Sequence, residues 1–183
     1  MNVIETPIPG VVVLEPRLFH DTRGYFFEMF RENALAEVGL PGPWVQDNCS
    51  FSRRGVLRGL HFQWPNPQGK LVQAVNGEIW DVAVDIRVGS ATYGKWHGEV
   101  LSEANRRQLW VPEGFAHGFV VLSESALVTY KVSAYFDAAC DAGVKWDDPG
   151  LAIDWPLRDV VVSEKDAGLP RLEQLQVDRS PHV

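Results

Sequence analysis

The sequence is poor in sulfur, in basic charge and in long apolar runs, and each shortage narrows what the chain can be. Its 183 residues hold two cysteines, Cys49 and Cys140, far apart and outside any Cys-x-x-Cys pair. That count excludes a disulfide scaffold, and a reducing, cytoplasmic setting is expected. Lysine and arginine total 17 against 24 acidic residues, a net charge of −7. A general nucleic-acid or anionic-membrane binder would carry a basic surplus, so neither partner is expected. A local cluster of arginines could still oppose the global sign for one anionic ligand. No stretch approaches the ~18 consecutive apolar residues of a membrane-spanning helix. The opening MNVIETPIPG carries Glu5 and two prolines and no long apolar stretch, so it does not read as a signal peptide.

What is present is enough to bury a core: 45% of residues are hydrophobic, in a length that suits one domain. The apolar runs are short and rich in β-branched and aromatic residues: Val11–Leu14, Tyr25–Phe30, Leu71–Val75, Ile79–Ile86, Phe119–Leu122 and Val128–Val132. Glycines and prolines fall mostly between them, the pattern of an all-β sandwich or barrel. Helix composition is confined to Arg31–Val38, with Gly39 as its C′ residue, and to a short second helix in the last twenty residues. The first ten residues read as an N-terminal arm.

Asn76-Gly77 stands between two strand-like runs and predicts a two-residue type I′ hairpin. In that register Val75 faces Glu78, Val72 faces Asp81 and Lys70 faces Ala83. Alternation then puts Lys70, Val72, Ile79, Asp81, Ala83 and Asp85 on one face, with Leu71, Val75, Trp80, Val82, Val84 and Ile86 on the other. Asp81 and Asp85 become diagonal neighbours of Lys70, about 7–8 Å away. A solvated strand face would explain the lysine and the aspartates too, although Val72, Ile79 and Ala83 are poor choices for an open surface. The mixed face suits the inside of a β-barrel that holds a polar ligand.

Two segments outline a site in such a barrel. Gly55-Val-Leu-Arg-Gly-Leu-His61 and Pro112-Glu-Gly-Phe-Ala-His117 resemble the two motifs of the cupin superfamily. Metal-binding cupins continue the first motif with a second histidine and a carboxylate. Here Phe62-Gln63-Trp64-Pro65 follows, and two imidazoles alone make a poor divalent site.

A closer resemblance spans about Pro7 to Pro170. The strings His20-Asp-Thr-Arg-Gly-Tyr-Phe-Phe-Glu28, Gln46-Asp-Asn48, Val56-Leu-Arg-Gly-Leu-His-Phe-Gln63, Asp81-Val-Ala-Val-Asp-Ile-Arg87, Trp110-Val-Pro-Glu-Gly-Phe-Ala-His-Gly-Phe119 and Ser163-Glu-Lys-Asp166 occur in this order. Together they resemble the dTDP-4-dehydrorhamnose 3,5-epimerase family. The resemblance implies a mainly β fold, a jelly-roll (cupin-like) β-barrel with a few short helices, in one domain over residues 1–183. Its C-terminal segment, about 156–183, would pack near the barrel mouth. It also implies a homodimer, a dTDP-sugar substrate and no metal or other cofactor.

Epimerisation beside a ketone needs a base near neutral pKa, a donor at the ketone oxygen and an acid on the opposite ring face. By resemblance His61 is the base, Asp166 the carboxylate that orients it, Lys70 the enolate stabiliser and Tyr130 the acid. Substrate contacts implied in the same way are Arg23, Phe26, Glu28, Gln46, Asp47, Asn48, Arg58, His117, Tyr135, Asp141 and Lys165, with Arg23 and Arg58 suited to the diphosphate and Tyr135 to stacking on thymine. Asp141 stands where the family usually has glutamate. The expected reaction inverts C-3 and C-5 of dTDP-4-dehydro-6-deoxy-D-glucose. A single-centre epimerase or a ketoisomerase on a related dTDP-4-keto sugar is the alternative. Rivals from other classes are a metal-dependent cupin enzyme and a non-catalytic sugar-binding barrel.

Overall fold

The computed structural model describes residues 1–40, 42–175 and 180–183. Its strands in chain order begin with β1 (Asn2–Glu5), β2 (Val12–Glu15), β3 (Phe19–Asp21), β4 (Gly24–Phe26), β5 (Gln46–Arg53) and β6 (Leu57–Gln63). They continue with β7 (Lys70–Asn76), β8 (Glu78–Asp85), β9 (Trp96–Ser102), β10 (Gln108–Val111), β11 (Phe115–Val121), β12 (Ser125–Val132) and β13 (Asp141–Gly143). One antiparallel sheet runs β1-β2-β10-β7-β12-β5 and a second runs β13-β6-β11-β8-β9, while β3 and β4 form a separate hairpin. Among the described residues no ladder joins the edges of the two large sheets. The jelly roll is therefore a pair of facing sheets rather than the closed barrel expected from sequence.

The space between the sheets is filled by Val13, Val72, Ala74, Ile79, Phe115, Phe119 and Val128. The outer face of the second sheet is covered too: Leu60, Phe62, Val82 and Val84 pack under Val144 and Leu151, with Trp80, Trp96 and Trp155 alongside. Strand β8 is thus buried on both faces, which explains why Ile79–Ile86 reads as a nearly continuous apolar run instead of alternating. The outer face of the first sheet is capped by α1 (Glu32–Glu37), whose Leu35 packs with Leu14, Leu71 and Trp110. That helix stops as its composition predicts. Gly39 takes φ +86°, its N–H reaches Ala36 O at 3.1 Å, and Leu40 N–H reaches Leu35 O at 2.8 Å, the paired bonds of a Schellman end.

The Asn76-Gly77 hairpin is not formed. β7 pairs with β10 and β12 in the first sheet, whereas β8 pairs with β11 and β9 in the second. Asn-Gly specifies a backbone that accepts positive φ, and Gly77 has φ +74°, but the dipeptide does not specify which strands pair. Here it turns a corner between sheets, tied by Glu103, whose Oε2 accepts from Asn76 Nδ2 at 2.6 Å and from Gly77 N–H at 3.1 Å. The shared face predicted from alternation is nevertheless interior. Lys70 and Val72 look inward from one sheet, and Ile79, Asp81, Ala83 and Asp85 from the other, all buried. They meet across the gap rather than side by side.

The run Tyr25–Phe30 is strand only as far as Phe26. At the amino end, β1 lies against β2 of its own chain. Beyond Leu151 the chain returns along the second sheet, with a parallel bridge between Val161 and Val56. It then forms a single-turn helix, α2 (Glu164–Ala167), capped by Ser163 Oγ on the Asp166 N–H, and a 3-10 turn at Leu172–Gln174. The short helix expected in the last twenty residues is these two pieces; the remainder of that span partly falls on 176–179, outside the described residues.

Candidate active site

A cavity of about 380 Å3 opens between the sheets at the end where polar side chains replace the apolar core. Asn48, Ser50, Lys70 and Tyr130 line it from the first sheet, and Arg58, His61 and His117 from the second.

Arg58 and His61 share this wall only because β6 is irregular. Residues three apart on a regular strand point to opposite sides. In the ladder His61 stands opposite His117 and Arg58 opposite Phe119, with a register shift between the pairs, so β6 carries one residue more than β11. The extra residue makes a β-bulge around Gly59, which has φ +120°. A Cβ on Gly59 would lie 2.5 Å from Gly118 Cα and 2.6 Å from His117 O, so glycine is required twice over. The bulge also points the Gly59 N–H at Asp166 Oδ2, 3.2 Å away.

Asp166 Oδ1 sits 2.7 Å from His61 Nε2, and the carboxylate is buried. An Nε2–H donated to that oxygen leaves His61 Nδ1 as the lone-pair nitrogen. Burial pushes the His61 pKa below its ordinary value; the Asp166 hydrogen bond and charge pull it up, and Lys70 and Lys165 push it down. The ring is thus a neutral base at physiological pH.

Lys70 is 7% exposed, and its Nζ donates to His61 O at 3.0 Å. Burial pulls its pKa down to about 8 against the opposing charges of Asp81 and Asp141. On the facing sheet from His61, Tyr130 packs against the inter-sheet core, and burial raises its pKa, so the phenol keeps its proton. His117 Nε2 lies 2.8 Å from Asp81 Oδ1. Thus His61 and His117, neighbours across the ladder, each commit Nε2 to a separate carboxylate. Among the described residues no three His, Cys, Asp or Glu side chains gather as a metal ion requires.

The remaining expected residues fall into three groups. Gln46, Asn48, Arg58, Asp141 and Lys165 line the cavity. Arg58 Nε donates to Ser52 Oγ at 2.9 Å, and Lys165 is ion-paired with Asp141 at the rim. Tyr135 and Asp47 border it without lining it: Tyr135 is 67% exposed beside Phe136, which does line it, and Asp47 points to the other face of β5 and pairs with Lys131. Arg23, Phe26 and Glu28 lie elsewhere, on or just after the β3–β4 hairpin. Arg23 pairs with Asp21, Glu28 with Arg31, and Phe26 is 66% exposed.

Of the residues that line the cavity, sequence reasoning missed Ser50, Phe62, Gln63, Gln68, Phe119 and Phe136, and it missed the bulge glycine. Ser50 was within reach: on β5 the residues 46, 48, 50 and 52 alternate inward with exposed 47, 49, 51 and 53. The odd spacing of Arg58 and His61 was the only trace of the bulge.

A family model described as dTDP-4-dehydrorhamnose 3,5-epimerase matches residues 5–174. The dTDP-4-dehydrorhamnose 3,5-epimerase of Pseudomonas aeruginosa is 53% identical over 168 residues, 91% of this chain and 93% of its own. A crystal structure of dTDP-6-deoxy-D-glucose-3,5-epimerase from Legionella pneumophila in complex with dTDP-4-keto-L-rhamnose is similar with a TM-score of 0.97 and 46% identity, covering 100% of this chain and 98% of that one. A 3′-monoepimerase from Streptomyces bikiniensis in complex with dTDP-quinovose is similar with a TM-score of 0.86 and 31% identity, over 93% of this chain and 87% of that one.

Proposed function

Because the chain belongs to the dTDP-4-dehydrorhamnose 3,5-epimerase family, we propose that it inverts C-3 and C-5 of dTDP-4-dehydro-6-deoxy-D-glucose to give dTDP-4-dehydro-L-rhamnose. The observation that carries this reading is the opposition of the His61–Asp166 pair on one wall to Tyr130 on the other, with Lys70 in the same cavity. His61 Nδ1 takes the proton from the carbon beside the ketone, and Asp166 stabilises the imidazolium that forms. The Lys70 ammonium donates to the ketone oxygen as enolate charge develops there. Tyr130 returns a proton from the opposite ring face, so the centre inverts. Each inversion leaves His61 protonated and Tyr130 deprotonated; exchange with water resets both.

Arg58 and Lys165 supply local positive charge for the diphosphate, which a chain of net charge −7 would otherwise repel. Tyr135 and Phe136 offer faces for the thymine. Arg23, Phe26 and Glu28 serve the cavity of a second copy in a homodimer. Support for that comes from the hairpin region, where Phe19, Tyr25, Phe26 and Met29 are all exposed apolar side chains. The free thiols Cys49 and Cys140 fit a cytoplasmic enzyme.

The test is turnover in deuterium oxide followed by NMR. Deuterium is expected at both C-3 and C-5, and His61→Ala is expected to abolish uptake at both. The monoepimerase relative shares this fold, so fold alone does not separate two centres from one. Label at a single carbon would overturn the double inversion and establish a single-centre epimerase; no label at either would overturn the epimerase reading.

A further inference from the structure

Asp81 lies behind the cavity wall, against His117, and the chemistry above gives it no task. It lies on β8 and is wholly buried, with Oδ1 held by His117 Nε2. Its Oδ2 is equally buried and has no hydrogen-bond partner among the described residues. A desolvated carboxylate oxygen without a donor is costly unless a nearby charge compensates it. Lys70, buried on the opposite sheet, is the cation that feels this charge, which raises its pKa against desolvation.

We propose that Asp81 is a positioning residue that gives His117 and Lys70 opposite hydrogen-bonding characters. It takes the Nε2 proton of His117, which leaves Nδ1 as an acceptor, and its charge keeps Lys70 an ammonium donor. This rests on the epimerase reading. A 4-keto sugar presents a ketone oxygen, which needs a donor, and hydroxyl groups, which an imidazole lone pair can hold. Two acceptors at those places would repel the ketone. Asp81 sorts the pair from below, without touching substrate.

Charged and titratable groups that share the cavity with Lys70 are Arg58 and His61 on β6, His117 on β11, Tyr130 on β12, Asp141 on β13 and Lys165 on α2, with Asp81 on β8 behind His117 and Asp166 on α2 behind His61. Asp141 is paired with Lys165 and Asp166 with His61, whereas Asp81 keeps one buried oxygen without a donor among the described residues, so it is the carboxylate with charge to spare. Removing its charge lowers the pKa of Lys70 further, so the ammonium is lost at lower pH. Tyr130, which burial pushes above its ordinary value, titrates later and does not mask the change.

The experiment is Asp81→Asn in the full-length protein, with kcat and KM measured from about pH 6 to 9 and the His117 ring followed by nitrogen-15 NMR. Expected are a fall in kcat of about 10²-fold, KM within about threefold and an alkaline limb moved down by about one pH unit. The neutral His117 ring should carry its proton on Nε2 in the unmodified protein and on Nδ1 in the variant. An alkaline limb and a tautomer that stay put, even with a lowered Tm, would reduce Asp81 to a structural role and overturn the proposal. Should Asp81→Asn fail to fold, the ring of the unmodified protein still decides, since a neutral ring protonated at Nδ1 overturns it. Deuterium uptake by the unmodified protein separates the two levels. No uptake removes the epimerase reading, while normal uptake with an indifferent Asp81→Asn removes only this inference.

Discussion

The cavity walls and the β3–β4 hairpin both carry residues expected to meet the substrate, but they hold them differently. His61, Lys70, His117 and Tyr130 stand on β6, β7, β11 and β12, each strand paired on both sides. Among the described residues the hairpin strands pair only with each other, and Tyr25 ties them to the body, its hydroxyl accepting from Arg106 and its ring lying 5.0 Å below that guanidinium. Arg23 and Phe26 are left exposed. Proton transfer tolerates little misplacement, so its groups belong on the rigid ladder. A guanidinium suited to a diphosphate can stand on a hairpin outside the two large sheets, provided another surface seats it. The contrast predicts that damage to the walls costs rate or fold, whereas damage to the hairpin costs affinity.

The largest break should come at Asp166. Asp166→Asn keeps the shape but reverses the hydrogen-bonding sense at His61 Nε2, moving the proton to the nitrogen that should be the base. A fall in kcat of about 10³-fold is expected, with KM nearly unchanged, in steady-state assays. Asp166 also raises the His61 pKa against burial, so its loss should move the acid limb of the rate profile to lower pH. A limb that moves upward would show that Asp166 does not stabilise the imidazolium.

A pair of glycines sharpens the comparison through stability. Gly59 in the wall and Gly24 in the hairpin both have positive φ, +120° and +131°. A Cβ on Gly24 would meet nothing within 4 Å, whereas on Gly59 it would strike backbone at 2.5 Å. Gly24→Ala should therefore cost only the conformational strain, about 1 kcal/mol, and Gly59→Ala about 3 kcal/mol. Denaturant unfolding monitored by tryptophan fluorescence checks both. Equal losses would mean that the bulge relaxes and is not what aligns Arg58 with His61.

The same two regions show what sequence reasoning can reach. The mainly β fold was legible because short β-branched runs separated by glycine and proline have few other uses. The end of α1 was legible because a Schellman end leaves a glycine where Gly39 stands. Asn76-Gly77 misled because a turn dipeptide reports local φ, while strand pairing is decided by which strands pack across the whole molecule. The interior face survived that error, since alternation along a strand does not depend on the partner. His61 was legible as a site residue, but Asp166 came only from the family resemblance. Their contact spans 105 residues, and it depends on a bulge that composition does not announce. Asp81 was visible as an inward carboxylate; its grip on His117 required the register of β8 against β11.

The smallest effect belongs to the hairpin, and it decides between one chain and two. Arg23→Ala should raise KM about tenfold with kcat little changed, the loss of one charge-assisted contact to phosphate. If Arg23 serves the neighbouring copy, mixing Arg23→Ala with His61→Ala and allowing subunits to exchange should restore low-KM activity. In a mixed dimer one cavity then combines the intact His61 of the first chain with the intact Arg23 of the second. Random exchange of equal amounts makes half the dimers mixed, with one whole cavity of two, so about a quarter of the unmodified activity should return. If Arg23 instead folds back onto its own cavity, no mixed dimer contains a whole site. The mixture would then show only the high-KM activity of Arg23→Ala, and the division of labour between wall and hairpin would lie within a single chain.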